Sequence, residues 1–294
     1  MRKRFRIVLV ILLVAIVGGV VWAVLESREP VYQGRGLSAW MKDLTTGPII
    51  NNDYSGATHD AAVEAIRHMG TKALPQLLAG LGAKDSQLKV KLMRFFSQHP
   101  VFRIKLETAD DRRGEAAQGF KALGAIARPA IPDLIPIVND RETALESAFC
   151  LAFIGPEGVP PLIQALTNRV PRVRGYAAFA LSYGPLDASP AVSALIQRLQ
   201  DTNNNVMVYA VGTLMRMTNQ SRLVIPALVA NLGSTNAVVR KEMGKALVYY
   251  AAAGKGAMPT LIAMQNDPEP KVRAAVTNAI ELIDADVAAK ARGK

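Results

Sequence analysis

Cysteine occurs once and histidine three times in the 294 residues of this chain. A single Cys150 excludes an intramolecular disulfide and leaves the redox compartment open. His59, His68 and His99 all stand towards the N-terminus and form no set at metal-ligand spacing. There is no glycine-rich phosphate loop, no nucleophile elbow and no paired catalytic motif. The expectation is a protein without catalytic residues, bound metal or cofactor, and not an enzyme. Aromatic residues make up only 6% of the chain while half of it is apolar, so helices that pack through small side chains are favoured over a ring-filled core.

What is present begins with one long hydrophobic run. Arg2, Lys3, Arg4 and Arg6 precede nineteen uncharged residues, Ile7 to Leu25, about 29 Å of helix and therefore long enough to span a bilayer. Positive charge ahead of the run places residues 1–6 in the cytoplasm and everything after it on the extracytoplasmic side. The apolar run exceeds the usual signal-peptide core and Trp22 suits an interface, so an uncleaved single-pass anchor over 7–25 is expected, with a cleaved signal peptide as the alternative. Residues 26–57 read as an extended linker from Glu29 to Gly36, a short capping helix with Leu37, Trp40, Met41 and Leu44 on one face, and a loop over Gly47–Gly56.

From residue 58 to the end one pattern recurs: small or apolar, aliphatic, usually proline, any residue, leucine, aliphatic. Its proline positions are Pro75, Pro132, Pro160, Ser193, Pro226 and Pro259, the last four at one constant interval. A fixed period within the range of roughly 20–50 residues marks a solenoid. A second element runs in phase: Val173, Val206, Val239 and Val272, followed seven residues later by Ala180, Thr213, Ala246 and Ala279, with Ala65, Ala122 and Cys150 at the small position of the shorter repeats. Valine, then small residues four and seven positions on, traces one face of a helix that a neighbour can approach closely. Proline suits the first turn of a second helix, where its missing N–H is no loss. Asn168, Asp201, Ser234 and Asp267 close the cycle, each able to accept from free N–H groups in a turn. Each repeat is therefore a first helix, a turn, a second helix and a turn. The Pro75 and Pro132 copies stand nearly two periods apart, and an amphipathic helix over Ser86–Ser97 with Pro100 beyond it marks an irregular repeat around 86–111.

This pattern resembles the HEAT-repeat family, on the Val and Arg opening the first helix (Val173/Arg174, Val239/Arg240, Val272/Arg273), the small residue near its end, Gly70, Gly155 and Gly184 after it, and the proline and leucine of the second helix. Met207 in place of Arg and Ser193 in place of Pro are departures. The stretch Tyr32, Gly36, Leu37, Trp40 is similar to one that precedes such repeats in exported bacterial proteins. The resemblance implies an all-α protein: an α-solenoid of six to seven helical hairpins, with seven first helices and six second helices, preceded by one transmembrane helix. It also implies that the second helices line the inner groove. The His–Glu pairs of the HEAT-like metal hydroxylase of hypusine synthesis are not in this sequence.

The chain carries +11, and removing the four charges of residues 1–6 leaves +7. The periodic basic residues, Arg172, Arg174, Arg240, Lys241, Lys245, Lys271 and Arg273, belong to the first helices, where hydrogen bonding between neighbouring repeats is the plainer explanation. The non-core positions of the second helices are nearly neutral, so a phosphate-tracking groove and nucleic-acid binding are not expected. The expected function is a membrane-tethered, exported scaffold holding a protein or peptide, with Gln164, Gln197, Arg198, Asn231, Met264 and Gln265 as candidate contacts. The alternative is an envelope module that binds an anionic polymer or lipid surface through the basic first-helix residues.

Overall fold

The structure, a computed structural model, describes residues 18, 29–46, 49–50, 53–98, 106–183, 188–250 and 256–292. It divides into two units at Pro129/Ala130. Gly18 apart, the predicted membrane span 7–25 lies outside the described residues, and so does Gly184. Among the described residues no helix is long and apolar enough to cross a membrane.

In the first unit, strands β1 (Val31–Tyr32) and β2 (Arg35–Gly36) pair antiparallel. Between them Gln33 and Gly34 both take positive φ, 50° and 74°, the conformation a two-residue hairpin needs. The extended linker expected here is thus a docked hairpin. Trp40 Nε1 donates to the Tyr32 carbonyl at 3.2 Å, and the Tyr32 ring stacks on His68 at 4.8 Å. Helix α1 (Leu37–Leu44) buries Leu37, Trp40, Met41 and Leu44, the face read from the sequence, and its first turn is capped by Glu29, which accepts from the Ser38 N–H and hydroxyl. A second short hairpin, β3 (Ile49–Ile50) with β4 (Asp53–Tyr54), stands where a loop was expected.

Helices α2 (Ala57–Met69) and α3 (Leu74–Leu81) form the first repeat hairpin, turned by Gly70 at φ 59°. After α4 (Gln87–Gln98) comes α5 (Ala109–Leu123), started by a reciprocal cap between Thr108 and Asp111. Helix α5 packs directly against α1, α2 and α3. Residues 99–105 of the irregular segment lie outside the described residues; in the part described, the next first helix closes directly on the preceding hairpin and passes α4 by.

The second unit is a stack of hairpins. Its second helices are α6 (Ile131–Val138), α8 (Val159–Ala165), α10 (Val192–Arg198), α12 (Ser221–Asn231) and α14 (Met258–Ala263). Its first helices are α7 (Ala144–Ile154), α9 (Pro171–Ala180), α11 (Asn204–Leu214), α13 (Ala237–Val248) and α15 (Pro270–Arg292). Each first helix packs on the next first helix, and each second helix packs on the first helix that follows it. With α2 and α5 there are seven first helices and, with α3, six second helices among the described residues.

Packing follows the sequence pattern closely. Val173, Val206, Val239 and Val272 are buried, as are Cys150, Ala180, Thr213, Ala246 and Ala279 at the small position. Thr213 is tolerated there because its hydroxyl donates to the Ala178 carbonyl of the neighbouring helix at 2.6 Å. Leu134, Leu162, Leu195, Leu228 and Leu261 of the second helices are fully buried, each stabilising by about 1.5–3 kcal/mol relative to exposure. Pro75, Pro132, Pro160 and Pro259 occupy the first turn of their helices. Pro226 does not: α12 begins five residues before it, so the proline sits inside the helix. The short repeat makes a tighter turn, with Gly155 at φ 107° and Gly158 so close that a Cβ there would stand 1.9 Å from the Leu151 carbonyl oxygen.

Candidate partner-binding surface

Two surfaces of the second unit can be built from its repeats. On the second helices, burial of the pattern leucine turns its neighbours outward. Pro132, Pro160, Ser193, Pro226 and Pro259 are exposed in one row. Ile135, Ile163, Ile196 and Val229 are half-buried in a second row, which Ile262 ends at 53% exposure. Pro136, Gln164, Gln197, Ala230 and Ala263 are exposed in a third. Charge is sparse, with Asp133, Arg198 and Arg222 on these five helices. Such a surface offers apolar contact together with two primary amides, each able to donate to and accept from one peptide group.

Gln164 and Gln197 occupy equivalent positions of successive repeats, both exposed, as the sequence reading placed them. The other candidates fare differently. Arg198 is half-buried with Nη1 3.6 Å from Asp201 Oδ2, so its charge is partly engaged within the repeat. Asn231 is buried, and its Nδ2 donates to the Ala227 carbonyl at 2.8 Å; the last residue of α12 turns in to satisfy its own helix and is unavailable to a partner. Met264 and Gln265 lie past the end of α14 in a 3-10 turn, Met264 half-buried and Gln265 exposed.

On the first helices, the periodic arginines are committed to the stack. Arg174 Nη1 donates to the carbonyls of Asn168 and Arg169, while Nε and Nη2 grip both oxygens of Asp201 at 2.7 Å. Arg240 repeats this with Ser234, Thr235 and Asp267. Arg273 makes the same backbone contacts to Asp267 and Pro268. Burial works to raise the Asp201 carboxyl, but hydrogen bonds from Arg174 and the Asn203 N–H outweigh it and hold the group below the usual carboxylate range. Arg240 is the largest influence on Asp267 and lowers it likewise. Lys241 and Lys245 both reach Glu242, at 2.9 and 3.4 Å. Of the seven basic residues in the series, Arg172, Lys245 and Lys271 are exposed.

Sequence reasoning missed an aromatic cluster. Phe149 and Phe153 of α7, Phe179 of α9 with Tyr183 just beyond its end, and Tyr209 of α11 meet with centroids 4.9–6.1 Å apart. Its signal was present as two i, i+4 aromatic pairs, Phe149/Phe153 and Phe179/Tyr183, set at the same offset that separates Cys150 from Ala180. Burial pushes the Cys150 thiol well above its ordinary range, which suits a small core side chain. Among the described residues no group of three or more His, Cys, Asp or Glu side chains is placed to hold a metal ion.

A family model described as HEAT repeats matches residues 159–248, which run from α8 to α13 of this stack. Residues 159–248 are HEAT repeats. None of the curated proteins matches the chain. Among solved structures, a designed armadillo repeat protein is similar at 19% identity and a TM-score of 0.41, covering 71% of this chain and 99% of its own. Human deoxyhypusine hydroxylase is similar at 20% identity and a TM-score of 0.37, covering 85% of this chain and 96% of its own. With TM-scores below 0.5, neither likeness bears on what this chain does.

Proposed function

We propose that this chain is a non-catalytic scaffold, exported and tethered to a membrane by its N-terminal apolar run, whose second-helix surface binds a protein or peptide. The observation that carries the reading is the neutral, proline- and isoleucine-rich face with Gln164 and Gln197 exposed at equivalent positions of two successive repeats. A neutral face of this kind favours apolar contact and peptide-group hydrogen bonding over phosphate tracking. Commitment of Arg174 and Arg240 to carboxylates of the next repeat lowers the charge left for a polyanion. The tether rests on the length of the Ile7–Leu25 run and the four basic residues before it.

Photo-crosslinkers placed at Gln197 and, separately, at Lys245 in intact cells test the reading. Protein adducts from Gln197 that persist at high salt support it. Adducts from Lys245 alone, lost at high salt, would establish the anionic-polymer alternative instead.

A further inference from the structure

Helix α4 is amphipathic in sequence, and the structure leaves most of its apolar arc exposed. From Ser86 to Gln98 it carries Lys89, Lys91 and Arg94 and no Asp or Glu. At 100° per residue, Leu88, Leu92, Phe95 and Phe96 fall within one arc about 100° wide. A helix of a globular protein turns such an arc to its core. Here Leu88 is 68%, Leu92 43% and Phe95 48% exposed, while Phe96 at the edge of the arc is half-buried together with Lys89 and Met93 on the adjoining side. The polar edge holds the helix in place: Lys89 Nζ lies 2.7 Å from Asp85 Oδ1, and Asp85 also accepts from the Ala109 N–H, at the start of α5, at 2.9 Å. Because α3 packs straight onto α5, the repeat stack does not require α4.

We propose that α4 is an in-plane docking element for an anionic lipid bilayer surface. The exposed arc supplies aliphatic and phenyl groups for the acyl boundary. Lys91, exposed, stands beside that arc, where a long basic side chain reaches the headgroup phosphates while its stem stays with the apolar layer, and Arg94, exposed further round the helix, adds to its positive charge. With no acidic residue between Ser86 and Gln98, nothing on the helix opposes approach to a negative surface. No residue of α4 belongs to the second-helix surface, and docking by α4 does not depend on that surface.

The full chain with Cys150→Ala, which matches Ala180 in the next repeat, and Leu92→Cys carries one environment-sensitive fluorophore on α4. It is reconstituted into vesicles of phosphatidylcholine alone and of phosphatidylcholine with phosphatidylglycerol. Docking gives a blue-shifted emission, quenched by lipid-borne quenchers, in the anionic vesicles and not in the neutral ones; it is lost at high salt and in Lys91→Glu/Arg94→Glu. Equal emission in both vesicle types overturns the proposal, whether aqueous or already blue-shifted by a covering protein surface, and so does lipid contact unchanged by the charge reversals. Circular dichroism confirms that the variants stay folded. Alkaline carbonate extraction of the same vesicles reads the N-terminal anchor independently.

Discussion

Arg174 and Asp201 form a two-pronged ion pair with both N···O distances at 2.7 Å that ties one repeat to the next. Arg240 and Asp267 form the same pair one step removed. Between them the corresponding positions hold Met207 and Ser234, so arginine and carboxylate are missing together at that junction. Removing both members avoids leaving a buried charge unpaired, the costly outcome when only one is lost.

That pairing predicts the result of a double-mutant cycle. Arg174→Met alone leaves the Asp201 carboxylate, 3% exposed, without its main partner and should destabilise the second unit by about 3 kcal/mol. Arg174→Met with Asp201→Ser, which reproduces the Met207/Ser234 junction, should recover most of that loss. Hydrogen exchange across α9 and α11 measures it.

Acid should open the ladder. Asp201 and Asp267 have folded pKa values below their unfolded value of about 3.9, so they bind fewer protons when folded. Their stabilisation is present in full above that value and is lost as pH falls from about 4 through the lower folded value. Exchange at the Asp201 and Asp267 turns should accelerate in that window, while the Ser234 turn responds less directly.

Ala246 and Lys245 are neighbours in sequence with opposite environments, the first fully buried and the second with half its side chain exposed. Ala246→Glu should cost about 1–3 kcal/mol or more through overpacking and an unpaired buried carboxylate. Lys245→Glu loses the contact to Glu242 and should cost about 0.5 kcal/mol. Exchange protection in α13 and α15 should fall in the first variant and hold in the second.

Two glycines should respond with opposite sign. Gly158→Ala drives a Cβ onto the Leu151 carbonyl and should destabilise by about 1–3 kcal/mol. Gly114→Ala, within α5 and with open space around the new methyl, should stabilise by about 0.5–1 kcal/mol. Thermal melts of both variants show the contrast.

The repeat itself was legible because its determinants are local and periodic. A valine, an alanine seven residues on and a leucine in the next helix recur at fixed spacing, and each must be buried for any one hairpin to pack. Gln164 and Gln197 were legible for the same reason, as positions one beyond the buried stripe. Asn231 was not, since whether an amide faces outward or bonds back to Ala227 depends on how the helix ends. The Tyr32 hairpin hung on two residues adopting positive φ, a conformation neither composition nor periodicity reveals. The exposed arc of α4 is the clearest case. Its residue pattern dictates an amphipathic helix, but amphipathicity states only that one side is apolar. How far that side meets solvent was decided by α5 closing directly onto α3, a contact that passes α4 by.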